Sequence, residues 1–521
     1  MLRRLSGAIR SGLAELDRSE DEAAEAGSSA SGPRYAYSRP DFLSLSLEPD
    51  EVTGLAGYNV SRPILVAGDK CPLPGMSGYA ETINGGKSQR NEDQAQACQF
   101  WLSPPNSPAA GGQEPRPDAI MYSNFICTFE DCRAAEAARP VGSTLVTYFA
   151  LFDGHAGDGA STYARHRLHL HIRDRLQQMH PFLLSALSGS NSTTAKAENS
   201  SIGVDDLVTG ALENAFITMD QEIGKNRVAH KIKGGCTALV TVFLLGRAYV
   251  ASAGDSRAVL CRGGQAPGRQ LTEDQTPYND RQRLQTIAAN HPRLAQGEFS
   301  PLQFAKRLGR RDLGRRVLCR SAFVQGWFLK TVSEEDLLFP LITGDSKKSR
   351  LLATIGVARG FGDHDLLVSD SSIAVKPFLS CVPQVVPLRD CMGADDFVVM
   401  ATDGLWDVLS NEAAEAVVKD AVSQSTSNRC VIAAQALVGA ARGTWQRGSQ
   451  TPDSRQSGGF WRLTISDATA APDDSQAKEA ANGTAKEPPA SLDDISCFVI
   501  PLGWLSKPPT PAEVPSADGD N

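Results

Sequence analysis

The run from Leu145 to Phe152 is apolar, β-branched and aromatic, and it stops abruptly at Asp153-Gly154-His155. Such a run predicts a core strand that delivers an acid, a glycine and an imidazole to its open end. Two further runs end alike: Phe397 to Thr402 leads into Asp403-Gly404, and Ala248 to Ala251 leads on to Gly254-Asp255. The repetition argues against accident. A rigid sheet that holds carboxylates in fixed geometry suits hard divalent cations, which want several oxygen ligands. Taken singly, each acid is more often a turn residue, and Gly154 and Gly404 fit tight turns.

The rest of the chain supplies the layers around these strands. Gly157 to Met179 predicts a helix with Tyr163, Ala164, Leu168 and Ile172 on one face, and Asp205 to Ile223 a second. Cys236 to Leu245 and Ala248 to Ala253, parted by Gly246, predict a hairpin that continues through Ala258 to Cys261. Helices follow at Asn411 to Val422 and Val431 to Arg442, and a last strand at Ile495 to Leu502. This order predicts an α+β layered domain.

Residues 1–38 read as a flexible arm, 39–77 as a lead-in segment, 78–502 as the domain, and 503–521 as a loose tail. Four stretches interrupt the domain: 103–117, 185–201, 448–489, and 265–350, which carries basic runs and aromatics and reads as a flap or lid. In residues 1–16 Leu2, Leu5, Ile9, Leu13 and Leu16 recur at helical spacing beside arginines. That is either a peripheral membrane-surface helix or a frayed terminus weakened by Gly7 and Gly12.

Composition narrows the function classes. With 41% hydrophobic and 21% charged residues and a net charge of -8, the chain is ordinary globular material without the positive balance of a nucleic-acid binder. Its 11 cysteines include no CxxC pair, which favours a reduced, cytoplasmic setting. No apolar run approaches the ~20 residues of a spanning helix.

Seven motifs occur in one order: KSQRNEDQA with Glu92-Asp93, LFDGHAG, GGCTAL, AGDSRAVL, GVARGFGDHD, ATDGLWDVLSNE and DDIS. Together they resemble the metal-dependent protein phosphatases, the PPM or type-2C family, over roughly Gly78 to Leu502. GYAETINGGKSQRNEDQA, LTEDQTPYNDRQRLQ and the stretch from Phe299 to Gly362 look closest to its H/J/M subgroup. The resemblance implies a central antiparallel β-sandwich flanked by helices on both faces, in four layers, with a large flap insertion. It also implies a serine/threonine phosphatase using two Mg2+ or Mn2+ ions, with a weaker third, whose shared hydroxide attacks phosphorus.

On that resemblance Asp153 bridges the metals, the Gly154 carbonyl binds one, and Asp403 and Asp493 complete the other. Glu92 and Asp93 hold metal-bound waters, and Asp255 joins Asp403 in the third site. His155 is placed to protonate the departing serine or threonine oxygen. The implied partner is a phosphoprotein, and the subgroup raises a membrane-associated small GTPase as a candidate. The oligomeric state is left open.

Two departures matter. Where many members carry a phosphate-gripping arginine four residues before the glutamate, this chain has Ser88, which leaves Lys87 or Arg90 to bind substrate phosphate. The closing Asp-Asn pair is Asp493-Asp494 here, adding a negative charge. Ser88, Asp494 and the large insertion support an alternative, a catalytically weak phosphoprotein-binding scaffold with the same fold. Thr237, Arg359 and Trp406 read as structural supports, and His364 and Asp365 as surface residues.

Overall fold

Alternation along Thr144–Phe152 decides the architecture. Phe149 and Leu151 enter one apolar cluster while Tyr148, Ala150 and Phe152 enter another, as a strand buried on both faces requires. The structure, a computed structural model, describes residues 34–43, 62–68, 73–103, 125–126, 143–189, 202–263, 267–290, 299–368, 373–388, 393, 395–424, 428–447, 461–464 and 490–503. The amphipathic stretch 1–16, the arm up to residue 33, residues 190–201, nearly all of 103–117, most of 448–489 and the tail from 504 lie outside the described residues.

Two six-stranded sheets form the centre. Their strands are β1 (Leu65–Val66), β2 (Gly78–Thr82), β3 (Gln94–Leu102), β4 (Phe125–Ile126), β5 (Thr144–Phe152), β6 (Ala238–Leu244), β7 (Arg247–Ala253), β8 (Arg257–Cys261), β9 (Arg269–Gln270), β10 (Gln384–Leu388), β11 (Phe397–Ala401) and β12 (Ile495–Pro501). One sheet runs β1-β2-β12-β11-β8-β9 and the other β10-β7-β6-β5-β3-β4. Every pair in them is antiparallel.

Phe149, Phe243, Leu239, Val398, Met400 and Phe498 fill the space between the sheets. Outside the second sheet lie α1 (Gly159–Gly189) and α2 (Val204–Asn226), packed through residues such as Leu168, Ile172, Leu212 and Phe216. Outside the first lie α3 (Asn411–Gln424) and α4 (Arg429–Arg442), through Val418, Ala434 and Leu437. The result is the four-layer α-β-β-α arrangement, an α+β fold.

Three local expectations are corrected. The hairpin of β6 and β7 forms, with Leu245 and Gly246 at φ 54° and 70° in the turn, but Arg257–Cys261 does not extend it. That strand crosses to the other sheet and pairs with β11, because the chain bends at Gly254 (φ 133°). Second, α1 continues past Ser185, the expected start of a polar insertion, to Gly189, since Leu183 is buried and Leu187 packs against the same core. Third, Trp461–Thr464, within the expected linker 448–489, is a strand paired with Thr444–Arg447.

Segment 265–350 contains a helix, Arg281–Asn290, and several short ladders, among them Gln303–Phe304, Arg316–Arg320 and Phe328–Thr331 in one three-stranded sheet. Its Leu284, Phe299 and Leu341 join Leu351 and Phe378, beyond the segment, in a separate apolar cluster. Lys347 ties it to the sandwich by donating to Trp406 O and Asp407 Oδ1, each at 2.9 Å.

Candidate metal centre

The two sheets bring the same ends together. Asp153 follows β5, Asp255 sits where the chain crosses from β7 to β8, Asp403 follows β11, and Asp493 and Asp494 precede β12. Glu92 and Asp93 lie on another crossing, between β2 and β3. Carboxylate oxygens of Asp153, Asp255 and Asp403 lie within 4.8 Å of one another, each residue partly buried. Hard oxygen donors converging at that spacing fit a divalent cation.

Electrostatics says the same. Burial first, and then repulsion from Asp403, Asp93 and Asp255, pushes the Asp153 carboxyl well above its usual range. Burial and Asp255 do likewise to Asp403, and burial with Asp274 pushes Asp255 up to about 6. Burial and the neighbouring Asp494 raise Glu92 to about 7. A site that resists its own ionisation is relieved by a cation.

Glu92 Oε1 accepts the Gly157 N–H at 3.0 Å, and Asp93 Oδ2 accepts the Thr402 hydroxyl at 2.9 Å. The glycines after the acids serve approach rather than turning. A Cβ on Gly404 would stand 1.9 Å from Asp494 O, and one on Gly154 2.5 Å from Glu92 O. Neither glycine has a positive φ.

His155, on the two-residue strand Gly154–His155, contacts Asp363 Oδ2 through Nε2 at 2.8 Å. Burial alone would lower the imidazole pKa; the Asp363 carboxylate outweighs it and raises it. Asp363 was not among the residues expected at the site. The only signal for it was its place in GVARGFGDHD.

The residues of both departures make contacts within the protein. Lys87 Nζ pairs with Asp493 Oδ2, while Arg90 lies over the Tyr37 ring, 4.9 Å from its centroid, and 3.5 Å from Asp158 Oδ1. Ser88 Oγ bonds the Arg90 carbonyl. Both basic side chains thus lie against acidic groups of the protein. Asp494 points at protein, not outward: it accepts Asn84 N–H at 2.8 Å and Glu92 N–H at 3.1 Å, and burial raises it to about 6.

Thr237 Oγ1 bonds Ser256 at 2.8 Å, Arg359 bonds Asp280 and Val382 O, and Trp406 Nε1 donates to Arg257 O and Ala401 O, all supports of the site. His364 is not a free surface residue, since its ring meets the Asp220 carbonyl at 3.0 Å. Asp365 stays exposed but pairs with Arg227 at 2.7 Å.

These shifts set a pH dependence. Glu92, Asp255 and Asp494 have folded-state values above their unfolded ones, so their contribution is complete below about pH 4 and is lost as pH rises through about 6 to 7. Between pH 5 and 8 the chelated protein should therefore melt at falling temperature. Added Mn2+ should raise the melting temperature more at pH 8 than at pH 5. A chelated protein whose melting temperature climbs over that window contradicts the assignment.

A buried acidic cluster at one end of a helix-flanked β-sandwich, with an acid-paired histidine beside it, defines a metal-dependent phosphatase centre. The protein phosphatase 2C sequence profile matches residues 128–286 and 342–446. Protein phosphatase 1H of Danio rerio is 39% identical over 92% of this chain and 94% of its own length. The Homo sapiens protein of that name is 38% identical over 96% and 99%, and protein phosphatase 1J of Mus musculus 35% over 90% and 86%. The chain belongs to the protein phosphatase 2C family and is a metal-dependent serine/threonine protein phosphatase acting on phosphoproteins. The scaffold alternative is not favoured.

Proposed function

We propose that this phosphatase holds two Mg2+ or Mn2+ ions, through Asp153, the Gly154 carbonyl, Asp403 and Asp493, with Glu92 and Asp93 acting through water and Asp255 offering a weaker third site. The observation that carries this reading is the convergence of Asp153, Asp255 and Asp403 within 4.8 Å. Such ions, when bound, activate a shared water as nucleophile and stabilise charge on the phosphoryl oxygens. Asp494 and Gly157 hold Glu92 at the rim of the cluster. Asp363 engages Nε2 of His155 and leaves Nδ1 to give a proton to the departing alkoxide.

Pure protein should release phosphate from a phosphoserine peptide with Mn2+ or Mg2+ and stop when chelator is added. Full turnover in chelator rules the reading out. His155→Gln should slow the peptide by ~10²-fold or more while sparing p-nitrophenyl phosphate, whose leaving group needs no proton. For substrate, resemblance to the H/J/M subgroup supports a phosphorylated small GTPase. Such a protein should then be dephosphorylated faster than a peptide carrying the same phosphosite, and equal rates count against it.

A further inference from the structure

One face of α2 grips the loop that carries Asp363. Phe216 packs on Phe361 with ring centroids 5.1 Å apart. One turn on, the carboxylate of Asp220, 6% exposed, accepts the Gly362 N–H at 2.9 Å and Lys376 Nζ at 2.7 Å, and meets the His364 ring at 3.2 Å. Another turn on, Gly224 makes room for that ring, since a Cβ there would stand 2.6 Å from His364 Cε1. Positions i, i+4 and i+8 lie on one side of a helix, so these contacts form a single docking stripe.

The loop needs such a hold. Asp363 sits at φ 54°, in the left-handed region that ordinary side chains disfavour. Its own N–H is taken by Gly234 O at 2.9 Å, and Asp220 fixes the amide just before it. Burial would raise the Asp220 carboxyl, but His364 and Lys376 outweigh it and hold it below its usual range. An apolar contact would dock the loop equally well; a buried charge directed at the Gly362 amide sets an angle.

We propose that Asp220 is a positioning residue for the phosphatase reaction: by fixing Gly362 and His364 it holds Asp363 against His155 and so aligns the proton that the leaving oxygen takes as the P–O bond breaks. This rests on the reading of His155 as proton donor.

The test compares a phosphoserine peptide with p-nitrophenyl phosphate under saturating Mn2+. Asp220→Ala should lower kcat on the peptide by about ten- to a hundredfold and on p-nitrophenyl phosphate by no more than about threefold, since only the alkoxide needs the proton. Mn2+ binding by calorimetry should be unchanged. In the His155→Gln background Asp220→Ala should add little, because the two residues act through one step. If Asp220→Ala does not fold, Gly224→Ala, which crowds His364 and leaves the Asp220 charge in place, should show the same substrate split. Equal losses on both substrates, or losses that multiply with His155→Gln, overturn the proposal. A split for His155→Gln without one for Asp220→Ala or Gly224→Ala overturns Asp220 alone. No split for His155→Gln removes the proton-donor reading and Asp220 with it.

Discussion

Asp153→Asn should abolish turnover and yet leave the metal-free protein more stable than its parent. Asp153, Asp255 and Asp403 place carboxylate oxygens within 4.8 Å of one another. Burial together with Asp403, Asp93 and Asp255 pushes the Asp153 carboxyl well up. Neutralising it removes repulsion from the metal-free fold, and each pKa unit so relieved is worth about 1.4 kcal/mol.

Bound cations reverse that balance. Losing this carboxylate should lower turnover of a phosphoserine peptide by ~10³-fold or more, the scale of removing preorganised charge from a reacting centre. Scanning calorimetry in chelator and in excess Mn2+ should show the two melting curves exchange order: variant above parent without metal, parent above variant with it. A variant less stable than its parent in chelator would mean that Asp153 serves the fold and not a cation.

The second large effect lies away from the acids. Arg39 makes two bonds to Glu81, at 2.7 and 2.5 Å, and donates to Asp93 O at 2.7 Å. The two side chains are only 3% and 1% exposed. Arg39→Met strands a buried carboxylate whose remaining side-chain partner is the Tyr79 hydroxyl at 2.6 Å. Breaking a buried pair from one side costs about 3–5 kcal/mol.

The loss should also reach the site, because the Asp93 backbone loses its anchor. Denaturant melts of Arg39→Met should show that drop, and the double variant Arg39→Met/Glu81→Gln should recover a large part of it. If the single variant melts like the parent, the pair is not structural in solution. Arg62 plays a matching part, donating to Ile83 O, Ser491 O and Asp493 O and so fixing the loop of Asp493.

Neither arginine stood out in the sequence, where residues 39–77 read as a lead-in segment. Their partners are 21 to 431 positions away, and a single basic residue among scattered apolar ones carries no periodic signal. Asp363 escaped for the same reason, 208 positions from His155. The strands and helices of the sandwich were largely legible, since apolar runs and 3.6-residue spacing are local properties. Sheet membership was not. Nothing between Ala253 and Arg257 says that the chain changes sheets, and only Gly254 at φ 133° permits the bend.

By itself the sequence determined that several core strands end in acids, that helices cover them, and which side chains could hold a cation. Those follow from burial and spacing along the chain. The tertiary structure alone decided that the acids meet at one end of the sandwich, that Lys87 and Arg90 already have acidic partners, and that Asp494 faces the protein. It also decided that α2 holds the loop behind His155. Those are contacts between distant segments, fixed only when antiparallel pairing sets the register of both sheets.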